Sequence, residues 1–143
     1  MAVKPQPKMP LMEHPFEILV TGQETGVTYT GTFKYKRPSL GERSRIEAMK
    51  VRMNGDLELL DEEVRDYNHA IAHLRFTLHD YPDWWQAASF GIDLYDGNVV
   101  AEVYNKCMEF EATWKDKVFG GDASKVIAGD PAHAVKEAVV AAN

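Results

Sequence analysis

The sequence predicts an α+β fold: an N-terminal β-hairpin packed on a bundle of about three α-helices, with a flexible N-terminal arm and a weak C-terminal helix. Three observations carry this. Val27, Tyr29, Gly31, Phe33 and Tyr35 alternate with Thr28, Thr30, Thr32, Lys34 and Lys36, the period-two mark of a half-buried strand. Ser39-Leu40-Gly41-Glu42 then has the S-x-x-E form of a capping box, in which the serine side chain and the glutamate satisfy each other's backbone amides and start a helix. Further on, two segments place apolar residues three and four apart, the spacing of one helix face.

The elements follow in order. Residues 1–15 carry prolines at positions 5, 7, 10 and 15 and no apolar period, and read as an arm. Residues 16–119 form a single α+β domain, and 120–143 a linker with a peripheral helix. The first strand is expected over Phe16–Thr21 and the second from Val27 to about Lys36, joined by the glycine-bounded loop Gly22-Gln23-Glu24-Thr25-Gly26. Two strands alone are marginally stable, so the hairpin needs helices beneath it, or strands from another copy. The first helix should run from the Ser39 cap to about Met53, burying Leu40, Ile46, Met49 and Met53, and stop at Asn54-Gly55. A second begins near Asp61 and buries Val64, Tyr67, Ile71, Leu74 and Leu78 until Pro82 ends it. Residues 81–91 read as irregular. A third helix starts at Asp96 with Val100, Val103, Cys107, Phe110, Trp114 and Val118 on its apolar side, which makes Trp114 a core residue, and closes at Gly120-Gly121. The alanine-rich stretch beyond Pro131 has little to bury.

Composition narrows the function. With 143 residues, 45% hydrophobic and 27% charged, the chain suits one ordinary domain, and no apolar run reaches the roughly 18–20 residues that span a bilayer. The N-terminus has no secretory h-region, and one cysteine permits no intrachain disulfide, so a reducing cytoplasm is the expected location. The net charge of −6 hides an asymmetry: residues 1–52 hold nine Lys/Arg against five Asp/Glu, whereas residues 53–119 hold five against fourteen. Glu42 and Glu47 interrupt the basic stretch, which argues against nucleic acid binding. The asymmetry instead suits head-to-tail stacking of copies, with Lys34, Lys36, Arg37 and Arg43 as its basic side.

No catalytic signature emerges. His69 and His73 stand at i and i+4, a spacing that ligates zinc, but Ala70 replaces the glutamate that the metalloprotease motif requires, and His79 and Asp80 reach such a site only after backbone adjustment. Asp80, Asp83, Asp93 and Asp96 bracket the irregular segment, where aspartates are ordinarily caps or turn formers rather than acid–base pairs. Cys107 lies on an apolar stripe and reads as a small buried hydrophobe. No glycine-rich phosphate loop occurs, and no cofactor is expected. What remains is aromatic surface: Tyr81, Trp84, Trp85 and Phe90 fall within ten residues, as candidates for partner binding, with one tryptophan expected to plug the core and its neighbour to meet a partner.

The order of these features carries a resemblance. The strand-to-helix junction "TGTFKYKRPSLGERSRIEA", the closure at Asn54-Gly55, the Leu-x-x-x-Leu end of the second helix, the "PDWW" break and the final helix "LYDGNVVAEVYNKCMEFEATWKD" together resemble the small tail assembly chaperones of long-tailed bacteriophages, over about residues 16–118. The resemblance implies a non-enzymatic protein that coats the tape measure protein, keeps its apolar helices soluble, and leaves as tube subunits polymerise, so that it is absent from the mature virion. It also implies self-association and, in many such proteins, a longer frameshifted form. The rival readings are a structural virion protein whose proline-rich arm threads into its neighbours, and a small metal-dependent enzyme using His69 and His73.

Overall fold

The structure, a computed structural model, describes residues 11–55 and 61–119. Residues 1–10 of the arm expected over 1–15, and the expected linker and helix over 120–143, lie outside the described residues, whereas Glu13, His14 and Pro15 of that arm are strand. The class is α+β as the sequence predicts: among the described residues, strands β1 (Glu13–Thr21), β2 (Thr28–Lys36) and β3 (Leu78–Asp80) accompany helices α1 (Leu40–Asn54), α2 (Glu62–Thr77), α3 (Asp83–Ala87) and α4 (Gly97–Phe119). The sheet is antiparallel, in the order β1-β2-β3.

The hairpin register pairs Phe16 with Phe33 and Ile18 with Gly31, so Phe16, Ile18, Phe33 and Tyr35 share the buried face. The rings of Phe16 and Phe33 lie parallel, 5.4 Å apart. β1 begins three residues before the expected Phe16, because the Arg37 amide donates to the Met12 carbonyl at 3.0 Å and extends the ladder. That bond, with Gly22 N–H to Val27 O at the other end, assigns the ladder bonds of β1 to even-numbered residues. The missing N–H of Pro15 therefore falls on the open edge, where it costs no ladder bond.

α1 starts on the expected capping box: Ser39 Oγ accepts from Glu42 N–H at 3.2 Å, and Ser39 N–H donates to Glu42 Oε1 at 3.0 Å. The amide of Ser39 holds the Glu42 carboxyl below its ordinary range. Burial on this helix differs from expectation. Only Ile46 is buried, Met49 and Met53 are half-buried, and Leu40 in the first turn is 81% exposed. The capping box sets where the helix begins, and among the described residues its first turn leaves Leu40 largely uncovered.

α2 is capped by Asp61, whose side chain accepts from Glu63 N–H at 2.8 Å, and buries Ala70, Ile71, Ala72, Leu74 and Thr77. The helix stops at Thr77, one turn earlier than its apolar spacing suggests. Leu78 keeps its buried position but does so as a strand residue paired with Tyr35. Pro82 disfavours helical geometry at Tyr81, and the vacant side of β2 offers ladder partners that a further helical turn would forgo.

The chain divides into two compact units, with the boundary after Met108 inside α4. In the first unit, α4 buries Val99, Val100, Val103 and Cys107. In the second, Thr113 Oγ1 donates to the Glu109 carbonyl, Trp114 is half-buried, and Val118 is exposed.

Candidate functional site

The tandem tryptophans are not irregular. They sit in α3, a helical turn opened by Pro82, and Trp85 is only 1% exposed. Its ring stands edge-on to Phe33 at 5.6 Å, so Trp85 belongs to the core and not to a partner-binding surface. Trp84 is half-buried, and its indole Nε1 donates to the Thr30 carbonyl at 2.8 Å while the ring lies 4.8 Å from Tyr29. The ladder parity turns that carbonyl away from β1, toward the side of β2 that β3 is too short to cover. Trp84 therefore takes the place of strand. Beside it the Pro82 ring packs over Gly31, where an added Cβ would come within 2.6 Å of Pro82 Cγ. Tyr81 and Phe90, both half-buried, meet edge to face at 5.5 Å, and the Arg75 guanidinium lies 4.0 Å over the Phe90 ring. Of the four expected partner-binding residues, three leave some face to solvent, and each of those faces is already engaged from below.

The candidate metal and acid–base groups make contacts within the fold. His69 Nε2 and Tyr104 Oη are 3.1 Å apart, as are His73 Nε2 and Tyr35 Oη. Among the described residues, no group of three or more His, Cys, Asp or Glu is placed to hold a metal ion. Asp80 accepts from the Tyr81 amide, Asp93 from the Ser89 hydroxyl, and Asp83 opens α3. Cys107 is buried. The basic residues expected at a self-contact are divided between uses: Lys34 pairs with Glu13 at 3.7 Å, Lys36 lies near enough to Glu42 to favour its ionised form, and Arg43 is exposed in the first turn of α1.

Asp96 is the most committed of the aspartates. Fully buried, it accepts from Glu24 N–H at 2.7 Å, Thr25 N–H at 2.9 Å and the Thr25 hydroxyl at 2.5 Å. Asn98 adds two bonds, accepting from Gln23 N–H and donating to the Thr21 carbonyl. The start of α4 thus clasps the hairpin loop, and Gly22 is needed because a Cβ there would collide with the Asp96 carboxylate. The Thr25 hydroxyl, helped by the two amides and opposed by burial, holds the Asp96 carboxyl below its ordinary value. A depressed folded value means that the stabilisation is complete above the ordinary aspartate pKa of 3.8 and is lost as pH falls through the lower folded one. Asp96→Asn is therefore expected to lower stability at neutral pH and to flatten the acid limb below about pH 4, measured as urea midpoints against pH. Parallel acid limbs for the two proteins would refute it.

The clasp forms one wall of a cleft of about 380 Å³. Its other walls are the C-terminal end of α1, the first half of α2 and the turn before α4. That turn is unusual: Ser89 (φ 53°), Phe90 (φ 59°) and Gly91 (φ 99°) lie consecutively in the left-handed region, closed by Asp93 N–H to Ala88 O at 2.9 Å. Left-handed geometry is costly for a bulky residue, and Arg75 and Tyr81 hold Phe90 in it. The reversal brings Ile92 and Tyr95 out beside the cleft, 51% and 83% exposed, where they line it together with Val64 and Tyr67 of α2. Close approach is permitted by Gly97, where any Cβ would overlap the Tyr67 phenol. The arrangement offers a concave surface on which apolar side chains stand beside the carboxylates of Glu24 and Glu63 and the amides of Gln23, Asn68 and Asn98.

Sequence reasoning missed this site. Val64 was expected in the core, Ile92 and Asp93 belonged to no expected element, and Leu94 and Tyr95 entered only at the start of the final stretch that carries the resemblance. The available signal was Ile92, Leu94 and Tyr95, three large apolar residues between a turn and a helix with no stripe to join. No helix among the described residues is long and apolar enough to cross a membrane. No family model, curated protein or solved structure matches the chain.

Proposed function

We propose that this chain is a non-catalytic tail assembly chaperone of a long-tailed bacteriophage, which binds the tape measure protein in the host cytoplasm and keeps it soluble until the tail tube forms around it. One structural observation supports the reading: the cleft beside α2 is concave and of mixed lining, with Val64, Ile92 and Tyr95 exposed around it, and apolar side chains exposed at a groove are the sort of surface that takes the apolar face of a helix. The sequence resemblance over residues 16–118 supplies the identity of the client. Self-association belongs to the same proposal, with Lys34, Lys36, Arg37 and Arg43 of one copy facing the acidic first turn of α2 in the next, and so does departure before the virion matures.

Co-expression with the tape measure protein of the same phage tests it. The client is expected to move from the insoluble to the soluble fraction and to co-purify with the chain. A client that remains insoluble, or is soluble without the chain bound, overturns the assignment.

A further inference from the structure

The cleft has a charge as well as a shape. Glu24 enters it from the hairpin loop and Glu63 from the first turn of α2, and its lining, among the described residues, includes no lysine, arginine or histidine. Asp61, Glu62 and Asp66 stand exposed on the same end of α2. The amides of Glu24 and Glu63 are tied down, the first by Asp96 Oδ1 at 2.7 Å and the second by Asp61 Oδ1 at 2.8 Å. The backbone that carries each carboxylate is thus fixed, one in the hairpin loop and one in α2, and the same cleft is lined by Ile71, Val100 and Tyr67.

Resting on the chaperone reading, we propose that the cleft selects, among apolar helices, those whose apolar face is bordered by lysine or arginine. The occupant is an amphipathic helical segment that places two or three aliphatic side chains against Val64, Tyr67, Ile92 and Tyr95, with cations one turn to either side meeting Glu24 and Glu63. Helix residues three and four apart share a face, so a segment of about two turns presents both features at once. Opposite charges across the rim speed encounter and fix register, and segments bordered by Asp or Glu are repelled.

The test uses the full chain and two synthetic helical peptides with the same leucine face, one bordered by lysine and the other by glutamate, with fluorescence anisotropy as readout. The lysine peptide is expected to bind at least about tenfold more tightly at low salt, with the preference shrinking as salt screens the rim. Glu24→Lys combined with Glu63→Lys is expected to reverse the order of the two peptides. A structural effect of those changes would appear as a lower melting temperature and a loss of both peptides, and Glu24→Gln with Glu63→Gln, which should abolish the preference while keeping binding, provides the second arm. Equal binding of the two peptides at low salt overturns the selection and leaves the chaperone reading in place. Binding of neither peptide by a chain that still solubilises the tape measure protein places the client elsewhere and overturns the inference. Failure of that solubilisation, with lysine-peptide selection intact, removes the tape measure assignment alone.

Discussion

Trp85→Ala is expected to cost about 3–5 kcal/mol, the range for deleting a large aromatic side chain from a packed interior. Trp85 is 1% exposed, stands against Phe33, and supports the left-handed turn at Gly91, where an added Cβ would lie 2.9 Å from the indole ring. Removing the ring leaves the sheet and the turn facing a void that neither can close alone. The neighbouring residue provides the control. Trp84→Phe retains much of the packing on Tyr29 but loses the bond to the Thr30 carbonyl, and is expected to cost about 1 kcal/mol. Urea unfolding of the two variants measures the difference, and equal costs would show that α3 does not divide its tryptophans between interior and edge.

The second large effect concerns binding. Tyr95→Ser combined with Ile92→Ser is expected to leave the melting temperature almost unchanged, since both side chains are largely exposed and such substitutions usually shift stability by no more than about 0.5 kcal/mol. The same double variant is expected to lower recovery of soluble tape measure protein by about tenfold or more, as removal of anchor residues from an apolar interface does. Co-purification yield and thermal denaturation on one preparation separate the two outcomes. A variant that solubilises the client as well as the parent chain would remove the cleft from the proposal.

The parts of the fold that local chemistry decides were readable from the sequence. The Ser39–Glu42 box needs only four consecutive residues, and the alternation from Val27 to Lys36 needs only one strand, so both appear where expected. β3 was not readable, because Leu78 satisfies a helix stripe and a strand equally well, and the choice depends on the free side of β2, which is contributed more than forty residues earlier. The tryptophan pair failed for a related reason. Adjacent residues point apart, so only a structure can show that a core lies in one direction and an uncovered carbonyl in the other. Asp96 was recognised as a residue beside a helix end, but the loop it holds could not be named, since buried carboxylates take their partners from the whole fold. The exposed apolar set of Val64, Ile92 and Tyr95 comes from two segments with no common period, and periodicity cannot reveal such a set.

The clasp of the hairpin by the start of α4 bears on the order in which the chain can become structured. β1 and β2 leave the ribosome first, yet the groups that hold their loop, Asp96 and Asn98, follow 71 to 77 residues later, and the indole that covers the Thr30 carbonyl follows 54 later. A two-stranded ribbon has little stability of its own. The nascent hairpin must therefore remain unsecured until almost the whole first unit has been translated, and contacts of such long sequence separation make its capture a slow step compared with helix formation. Through that interval Phe16, Ile18, Phe33 and Tyr35, which end on the buried face, are open to the cellular milieu. Cotranslational access to cellular chaperones is thus greatest for the hairpin, which is made before the residues that secure it.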